Sequence, residues 1–490
     1  MGRSRRVVWR NKEEYSVPNP EKLHPNTYPH RKSPYSTSAE ERAAWQSAAE
    51  AWLDGIFGWM PDLSERLGQV PDPRRPASVQ HKLVVVLVYG VFLFVWQRAL
   101  RREGNRELTQ PSVVEALQAA FPQHHYHPPY GHGGTRARSL ARRRTRSDIT
   151  GHWHDATIAP QPKIRPLDGR TPRFGRNRRD LEMECQLSLG RRSPGAAAWA
   201  GDGAYQAYVL EAVRVGPQGI AIPILAEFCE NTADAPEESK QDSELKAFYR
   251  LARKLKTAFP RLPLTILLDG LYPNGPLFRF LRTLRWDFLI GLKEGNLRAF
   301  QAMAHKLSVL APHQRLTYQW GDRTQNFWWV NHLEYTWRDP ETGRTRRTVV
   351  HYVHCTETWT DANGDRKVSK WAWVSARPFS KKTVVTRCNR MARHRWDIEE
   401  HILQEKHYGY HYTHLYSRQW NAMKGFHTLM RLAHLLNTLA LHQVALWPTV
   451  QAKGIGPTIR WVYQTFAGNW LDTERIVVRR ARPHSLRLVW

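Results

Sequence analysis

The order of periodic segments between residues 204 and 292 constrains the fold of this 490-residue chain most strongly. Apolar residues form short runs there that are typical of strands, and they recur with a period near 3.6 in the segments typical of helices. The pattern predicts a β-hairpin with a Gly-Pro turn at 204–230, an amphipathic helix at Ser239–Pro260 and a strand at Leu264–Gly270. A short helix at Pro276–Arg285 and a further strand at Trp286–Leu292 follow. Strands and helices in this order predict an α/β fold.

The rest of the chain divides into segments of distinct composition. Residues 313–376 are rich in β-branched and aromatic residues and contain the turn sequences DPETG and DANGD, which predicts a β-rich insertion. Helical periodicity occupies the chain from Glu40 to about Ala120 and from Arg387 onward. We therefore predict a disordered basic arm at 1–40, a helical N-terminal domain at 41–122 and an irregular Arg-rich segment at 123–203. The first part of the α/β core follows at 204–300, and the insertion at 301–380. The helical second part of the core lies at 381–445, and a basic C-terminal tail at 446–490.

The charge balance points to a polyanionic partner. Lysine and arginine exceed aspartate and glutamate by 73 − 44 = 29, which favours nucleic acid, since solubility alone rarely requires so much charge of one sign. The basic arm either lies along a DNA backbone or is a loose tail. The helical N-terminal domain has basic edges suited to binding DNA ends, although it contains no specific helix-turn-helix signature.

Cysteine usage and hydropathy indicate a cytoplasmic location. The four cysteines form no CxxC pair, which argues against a zinc site or a disulfide framework and fits a reducing cytosol. The most apolar run, Leu83–Trp96, has fourteen residues, whereas a membrane span needs about 20. The first residues are basic but lack the apolar region of a secretory signal. We expect no membrane association.

Two carboxylates stand where they could share a divalent metal ion. Asp269 ends the apolar run LTILLDG, and Glu399 lies in RWDIEEHILQEK (Arg395–Lys406), which has helical character. Steps of four and seven residues place Arg395, Glu399 and Lys406 on one helix face. The alternatives remain a turn aspartate, an exposed helix face with ordinary ion pairs, and neighbouring Glu400 as the functional acid.

The spacing of these residues resembles that of bacterial insertion-sequence transposases of the DDE class with a Tyr-Arg-Glu-Lys signature. In that signature Arg follows Tyr after two intervening residues, Glu follows after three more and Lys after six more, and Arg395, Glu399 and Lys406 fit both later spacings. Ala392 occupies the Tyr position, so the first element of the signature is absent. The resemblance continues in ILLDGLYPNGP, in WDFLIGLKEG and in GYHYTHLYSRQWNAMKGFH.

The resemblance implies an RNase H-like catalytic core with a β-rich insertion before the glutamate helix. It implies a two-metal site of Asp, Asp and Glu that binds Mg²⁺, with Mn²⁺ as a substitute, in which Asp269 is the second acid and Glu399 the third. Carboxylates are the hard ligands that such ions prefer, and two ions can activate the attacking oxygen and stabilise the leaving one. Arg395 and Lys406 would neutralise DNA phosphates. The implied partners are double-stranded DNA, as transposon ends and target, and a second copy of the chain in a homodimeric synaptic complex in the nucleoid.

The first acid of that site is not evident in the sequence. In the resembling family it lies in a strand shortly before the hairpin, in a motif like AIDGT. The literal candidates are Asp168 in PLDGRT, which we take as the candidate first acid, and Asp202 in AGDGAY. No apolar strand leads into Asp168, and Asp-Gly is common in turns.

A shifted reading frame would account for this absence. We hypothesise that residues from about 124 to about 200 are read out of frame, because RFGRNRRDLEM (Arg173–Met183), started one nucleotide later with permitted codons, can read VSVAIDGTWK. The shift would explain the dense arginines and the missing strand, and it predicts weak or absent strand transfer; the alternative is a disordered basic loop. The sequence thus predicts a cut-and-paste transposase or a decayed copy of one. A metal-dependent nuclease without strand transfer and a non-catalytic DNA-binding protein remain the alternatives.

Overall fold

A computed structural model shows an α/β fold, as the sequence predicted. It describes residues 34–98, 101–122, 185–192, 208–216, 220–229, 244–339, 342–414, 416–417, 420–484, 486 and 488. The predicted arm at 1–40 lies mostly outside these residues, and so do Asp168 and Asp202. Within the described residues, every helix is too short or too polar to cross a bilayer.

Nine strands of the described chain form one sheet in the order β3-β2-β1-β4-β5-β9-β8-β7-β6. Strands β1 to β9 span Cys185–Arg192, Tyr208–Val215, Ala221–Cys229, Leu264–Leu268, Asp287–Leu292, Arg315–Trp320, Arg323–Arg338, Thr345–Thr360 and Arg366–Ser375. Strands β1, β4 and β5 run parallel, and the other pairs are antiparallel. Parallel pairing of Leu268 with Ile290 brings the carboxyl ends of β4 and β5 to the same edge of the sheet. Residues that follow these two strands are therefore neighbours.

Three helices accompany this α/β region, and the periodicity predicted the first two of them. Helices α6, α7 and α8 span Glu244–Ala258, Gly275–Thr283 and Arg298–Val309. Phe248, Leu251 and Leu255 form the buried stripe of α6, because steps of three and four residues place them on one face. All five residues of β4 are buried, which explains why this strand is mostly apolar instead of alternating. The predicted β-rich insertion is the antiparallel series β6 to β9.

The first strand differs from the sequence prediction. We predicted an irregular segment at 123–203, yet β1 (Cys185–Arg192) lies inside it. The sequence CQLSLGRR has few apolar residues, so its local pattern is weak. Its place in the sheet comes from pairing with β2 on one side and β4 on the other.

The two ends of the described chain share one hydrophobic core. Helices α1 to α5 span Ser38–Trp59, Leu63–Gly68, Leu83–Val95, Arg101–Glu107 and Pro111–Ala120, and α9 to α14 span Val384–Asn389, Asp397–His407, Trp420–Leu441, Trp447–Lys453, Ile455–Ala467 and Thr473–Ala481. Buried residues of α1, α3 and α5 pack with those of α11, α13 and α14. The rings of Trp52 on α1 and Phe466 on α13 meet edge to face at 6.2 Å.

The C-terminal segment also differs from the prediction of a basic tail at 446–490. Helices α12 to α14 lie there, and Ile459, Val462 and Phe466 of α13 are buried. Three of the arginines that indicated a tail, Arg475, Arg479 and Arg482, pair with acids of α1, and Arg479 contacts Asp54 at 2.7 Å. A basic sequence can therefore be part of a folded core when distant acidic residues neutralise it.

Candidate functional site

Asp269 and Glu399 line one cavity of about 500 Å³. The cavity lies at the sheet edge where β4 and β5 end, and the segment that leads into α10 forms another wall. Asp269 directly follows β4, and Glu399 lies in the first turn of α10. The structure therefore brings together the two acids that the sequence predicted as partners.

Hydrogen bonds fix the loops that carry Asp269. Its Oδ1 accepts the backbone N–H of Leu271 at 2.9 Å, as in an aspartate turn. The Gly270 carbonyl accepts Nδ2 of Asn296 at 2.9 Å, and Oδ1 of Asn296 accepts the backbone N–H of Lys293 at 2.8 Å. The loop after β5 is thus tied to the loop after β4. This gives the cavity floor a defined backbone.

A short 3₁₀ helix, Ala392–Trp396, precedes α10, so the α-helix predicted from Arg395 begins at Asp397. Ile398 and Ile402 are buried against the sheet, which sets the rotation of α10. Glu399 lines the cavity, whereas exposed Glu400 is outside its lining. The tertiary structure therefore favours Glu399 over its neighbour.

Of the two predicted DNA-binding cations, the structure places one in the cavity. Arg395 donates through Nη2 to Oε1 of Glu399 at 2.9 Å, and its guanidinium lies 4.2 Å from the centre of the Trp396 ring. Lys406 is not among the residues that line the cavity. The ion pair with Glu399 is the ordinary i to i+4 contact of a helix, which is the alternative role of Arg395. Both roles are compatible with its position.

Sequence reasoning missed several charged residues of this cavity. Among the described residues, Glu294, Lys293, Lys370 and Arg393 also line it. Lys293 and Glu294 follow β5 as Asp269 follows β4, so the rule that parallel strands end at one edge could have found them. Lys370 and Arg393 gave no comparable signal, because they come from β9 and from the 3₁₀ helix.

Arg393 is held in place by the β-rich insertion. Its guanidinium lies 4.6 Å from the Trp320 ring centre and 4.7 Å from that of Trp371, and Nη2 donates to Oε1 of Glu357 at 3.1 Å. Glu357 is fully buried and also accepts Nε2 of Gln325 at 2.9 Å. Burial alone would raise the pKa of Glu357, but the bond from Gln325 and the charge of Arg393 hold it below its ordinary value. The carboxylate therefore stays ionised and orients the arginine.

His354 contributes a neutral imidazole to the cavity wall. Burial lowers its pKa to about 4, with smaller contributions from Lys370 and His305. The ring also stacks on Trp328 at 5.2 Å. At neutral pH this side chain adds polarity to the cavity without adding charge.

The donor chemistry of the cavity suits a hard divalent cation, since carboxylate oxygens are the ligands that Mg²⁺ prefers. Asp269, Glu294 and Glu399 are not gathered as tightly as a ligand set; among the described residues, three such groups lie within 4.8 Å of one another at His401, Glu405 and His434. Strand β1, which lies next to β4, has no aspartate or glutamate in its sequence. The candidate first acid, Asp168, lies outside the described residues. Two predicted acids thus line the cavity, and the third is not located.

No protein-family model matches the chain, and no curated protein matches it.

Proposed function

We propose that this chain is a DNA transposase of the DDE class, acting by cut-and-paste transposition, or a decayed copy of such an enzyme. The observation that carries the proposal is the meeting of Asp269 and Glu399 in one cavity. These residues are far apart in the sequence and were selected from the sequence by motif and spacing. Their convergence supports a shared metal-dependent role.

The strand arrangement supports an RNase H-like core for this enzyme. The order β3-β2-β1-β4-β5, with β1, β4 and β5 parallel and β2 antiparallel to both neighbours, is compatible with such a core. Strands β6 to β9 lie between β5 and the glutamate helix in the sequence, where the resemblance implies an insertion. In such a core, Asp269, which follows β4, would be the second catalytic aspartate.

The charges around the cavity support DNA as the substrate. Lys293, Lys370, Arg393 and Arg395 line it and could contact phosphate oxygens, which carry most of the affinity in protein–DNA complexes. The chain's excess of 29 positive charges would attract double-stranded DNA as transposon ends and target. A homodimeric synaptic complex remains part of the proposal.

Asp269 and Glu399 would hold Mg²⁺, and the ion would supply Lewis-acid stabilisation of the phosphate oxygens during strand cleavage and joining. Arg393 and Arg395 would bind the scissile strand and orient it against these carboxylates. Lys406 would contact DNA outside the cavity. Because His354 is neutral at physiological pH, its imidazole would not repel the bound metal ion.

The missing first acid favours impaired chemistry in this particular chain. The shifted-frame hypothesis for residues from about 124 to about 200 predicted that the first strand of the core is missing, but β1 occupies that place between β2 and β4. What β1 lacks is a carboxylate, since its sequence contains no aspartate or glutamate. We therefore expect weak or absent strand transfer by the chain as it stands. The nucleotide sequence tests this directly: if no codon path gives AIDGT in the alternative frame, the hypothesis fails.

Metal and DNA binding test the site without requiring activity. Tb³⁺, a hard cation, should bind the purified full-length chain and be sensitised by the tryptophans of the cavity. Asp269→Asn and Glu399→Gln should each weaken Tb³⁺ binding by about 10-fold or more, since even outer-shell changes cost metal sites that much. Glu400→Gln is the matched control, because Glu400 is exposed beside Glu399 but outside the cavity lining, and it should bind Tb³⁺ like the unmodified chain.

Companion assays separate the candidate functions. DNA affinity should change less than about twofold in the two cavity variants and should fall steeply with salt. Equal loss of DNA affinity in both variants would indicate that the two acids have a structural role. Tb³⁺ binding that survives both changes would contradict the proposed metal site. Cleavage without joining would identify a nuclease, whereas DNA binding without Tb³⁺ binding would identify a non-catalytic DNA-binding protein. Robust Mg²⁺-dependent cleavage of transposon ends would contradict the expectation that this chain lacks the first catalytic acid.

A further inference from the structure

A second cluster of metal-ligand side chains lies between α10 and α11, apart from the cavity. His401 and Glu405 are four residues apart on α10 and so share one face, and His434 lies on α11. Nε2 of His401 is 3.2 Å from Oε1 of Glu405, and Nδ1 of His434 is 2.7 Å from the same oxygen. The exposed fractions of these side chains are 1%, 0% and 4%. This pocket of nitrogen and oxygen donors is therefore closed to bulk water.

We propose that His401, Glu405 and His434 bind a zinc ion that links the glutamate helix to the helical core. Two imidazoles and one carboxylate form a common donor set for Zn²⁺, which needs no cysteine. The three ligand atoms lie within 4.8 Å of one another, whereas atoms bound to one zinc at about 2.1 Å lie roughly 3.4 Å apart in a tetrahedron. Rotation of side chains within the cluster would bring the ligand atoms to this spacing.

The burial of Glu405 gives a physical reason for a cation at this position. A carboxylate removed from water costs several kcal/mol unless opposite charge or hydrogen bonds compensate it. The contact between Nδ1 of His434 and Oε1 of Glu405, at 2.7 Å, supplies part of this compensation. A zinc ion bound by both side chains would place opposite charge directly on the carboxylate.

Coordination requires one rotation within the cluster. The His401 and His434 rings stack in parallel, with centres 4.0 Å apart and planes at 4°. A zinc ion lies close to the plane of each imidazole that binds it, so one ring must turn until the two planes converge on one point. Tyr410 stacks on His434 at 4.8 Å, which leaves the His401 ring as the one expected to turn.

The site would couple two parts of the molecule. Ile398 and Ile402 anchor α10 to the sheet, while α11 belongs to the core formed by both chain ends. Zinc between the helices would fix α10, and with it Glu399, relative to that core. Its role would be structural, because the cluster is buried and is not part of the cavity lining.

Zinc content of the purified full-length chain tests the proposal independently of DNA chemistry. After dialysis against metal-free buffer, elemental analysis should give about one zinc per chain, released slowly by a chelator because the site is buried. Glu405→Gln and His434→Gln should each lose this zinc. His442→Gln, which changes another histidine of the same region outside the cluster, should retain it, and so should Asp269→Asn and Glu399→Gln. If Asp269→Asn and Glu399→Gln retain their zinc, the zinc site is distinct from the proposed catalytic site.

A second measurement avoids the risk that the variants fail to fold. Zn²⁺ added to the metal-stripped, unmodified chain should raise its melting temperature, and Mg²⁺ at the same concentration should not, since Mg²⁺ prefers oxygen ligands. Absence of bound zinc, absence of stabilisation, or loss of zinc in His442→Gln equal to that in His434→Gln would each overturn the proposal.

Discussion

At the scale of single residues, Gly270 shows how the position after Asp269 is restricted by its neighbours. A Cβ atom at residue 270 would lie 2.7 Å from Oδ1 of Asn296, closer than real Cβ contacts allow. That oxygen accepts the backbone N–H of Lys293, and the amide of the same side chain bonds to the Gly270 carbonyl. The glycine of the LLDG motif therefore permits the two cavity loops to approach each other.

Replacement of this glycine should loosen the cavity floor. We expect Gly270→Ala to lower the free energy of unfolding by about 1–3 kcal/mol, the usual cost of adding a methyl group to a packed site. Gly295→Ala, in the loop that Asn296 anchors, is the control, because a Cβ there meets nothing within 4 Å. Chemical denaturation measures both. Equal stability of the two variants would show that Asn296 moves aside freely.

At the scale of elements, the β-rich insertion orients a cation of the cavity. Trp320 on β6 and Trp371 on β9 lie against the guanidinium of Arg393, and Glu357 on β8 accepts its hydrogen bond. These contacts place much of the insertion's aromatic content in packing, with one surface directed at the cavity. The insertion therefore belongs to the candidate site as well as to the sheet.

Glu357 tests this connection between the insertion and the site. Glu357→Gln would leave Arg393 without its buried anionic partner, so we expect a loss of about 2–4 kcal/mol in the free energy of unfolding. DNA affinity should also fall several-fold, because Arg393 lines the cavity. Glu334→Gln, an exposed acid of the same insertion, is the control and should change stability by less than about 0.5 kcal/mol. Unchanged DNA affinity in a folded Glu357 variant would contradict a role for the insertion at the site.

At the scale of the whole molecule, the described structure joins both chain ends in one core beside the α/β sheet. Phe466, in the segment that we predicted to be a basic tail, is 2% exposed and packs against Trp52 and Trp96. Arg479 and Arg482 pair with acids of α1. The sequence predicted a separate helical domain at 41–122 and a tail at 446–490. In the structure, the helices of these two segments pack together in one core.

Phe466 provides a test of this shared core. Phe466→Ala should lower the free energy of unfolding by about 3–5 kcal/mol, because it creates a cavity between the two chain ends. Val478→Ala is the control from the same segment, since Val478 is 65% exposed and its change should cost less than about 0.5 kcal/mol. Thermal or chemical denaturation distinguishes them. Similar stabilities would indicate that the segment is peripheral to the core.

The sequence by itself determined the local elements and three residues that line the candidate cavity, Asp269, Arg395 and Glu399. The hairpin of β2 and β3, the buried stripe of α6, the mostly apolar β4 and the placement of Asp269 at a strand end follow from local sequence pattern, which neighbouring residues set. The spacing between Arg395 and Glu399 also follows from helix geometry, and their ion pair forms accordingly. Only the tertiary structure decided that Asp269 and Glu399 share a cavity, that Arg393 joins them, and that β1 and α12 to α14 are ordered parts of the fold. These features depend on strand pairing, burial and charge pairs between residues far apart in the chain, and such long-range contacts leave little trace in local sequence pattern.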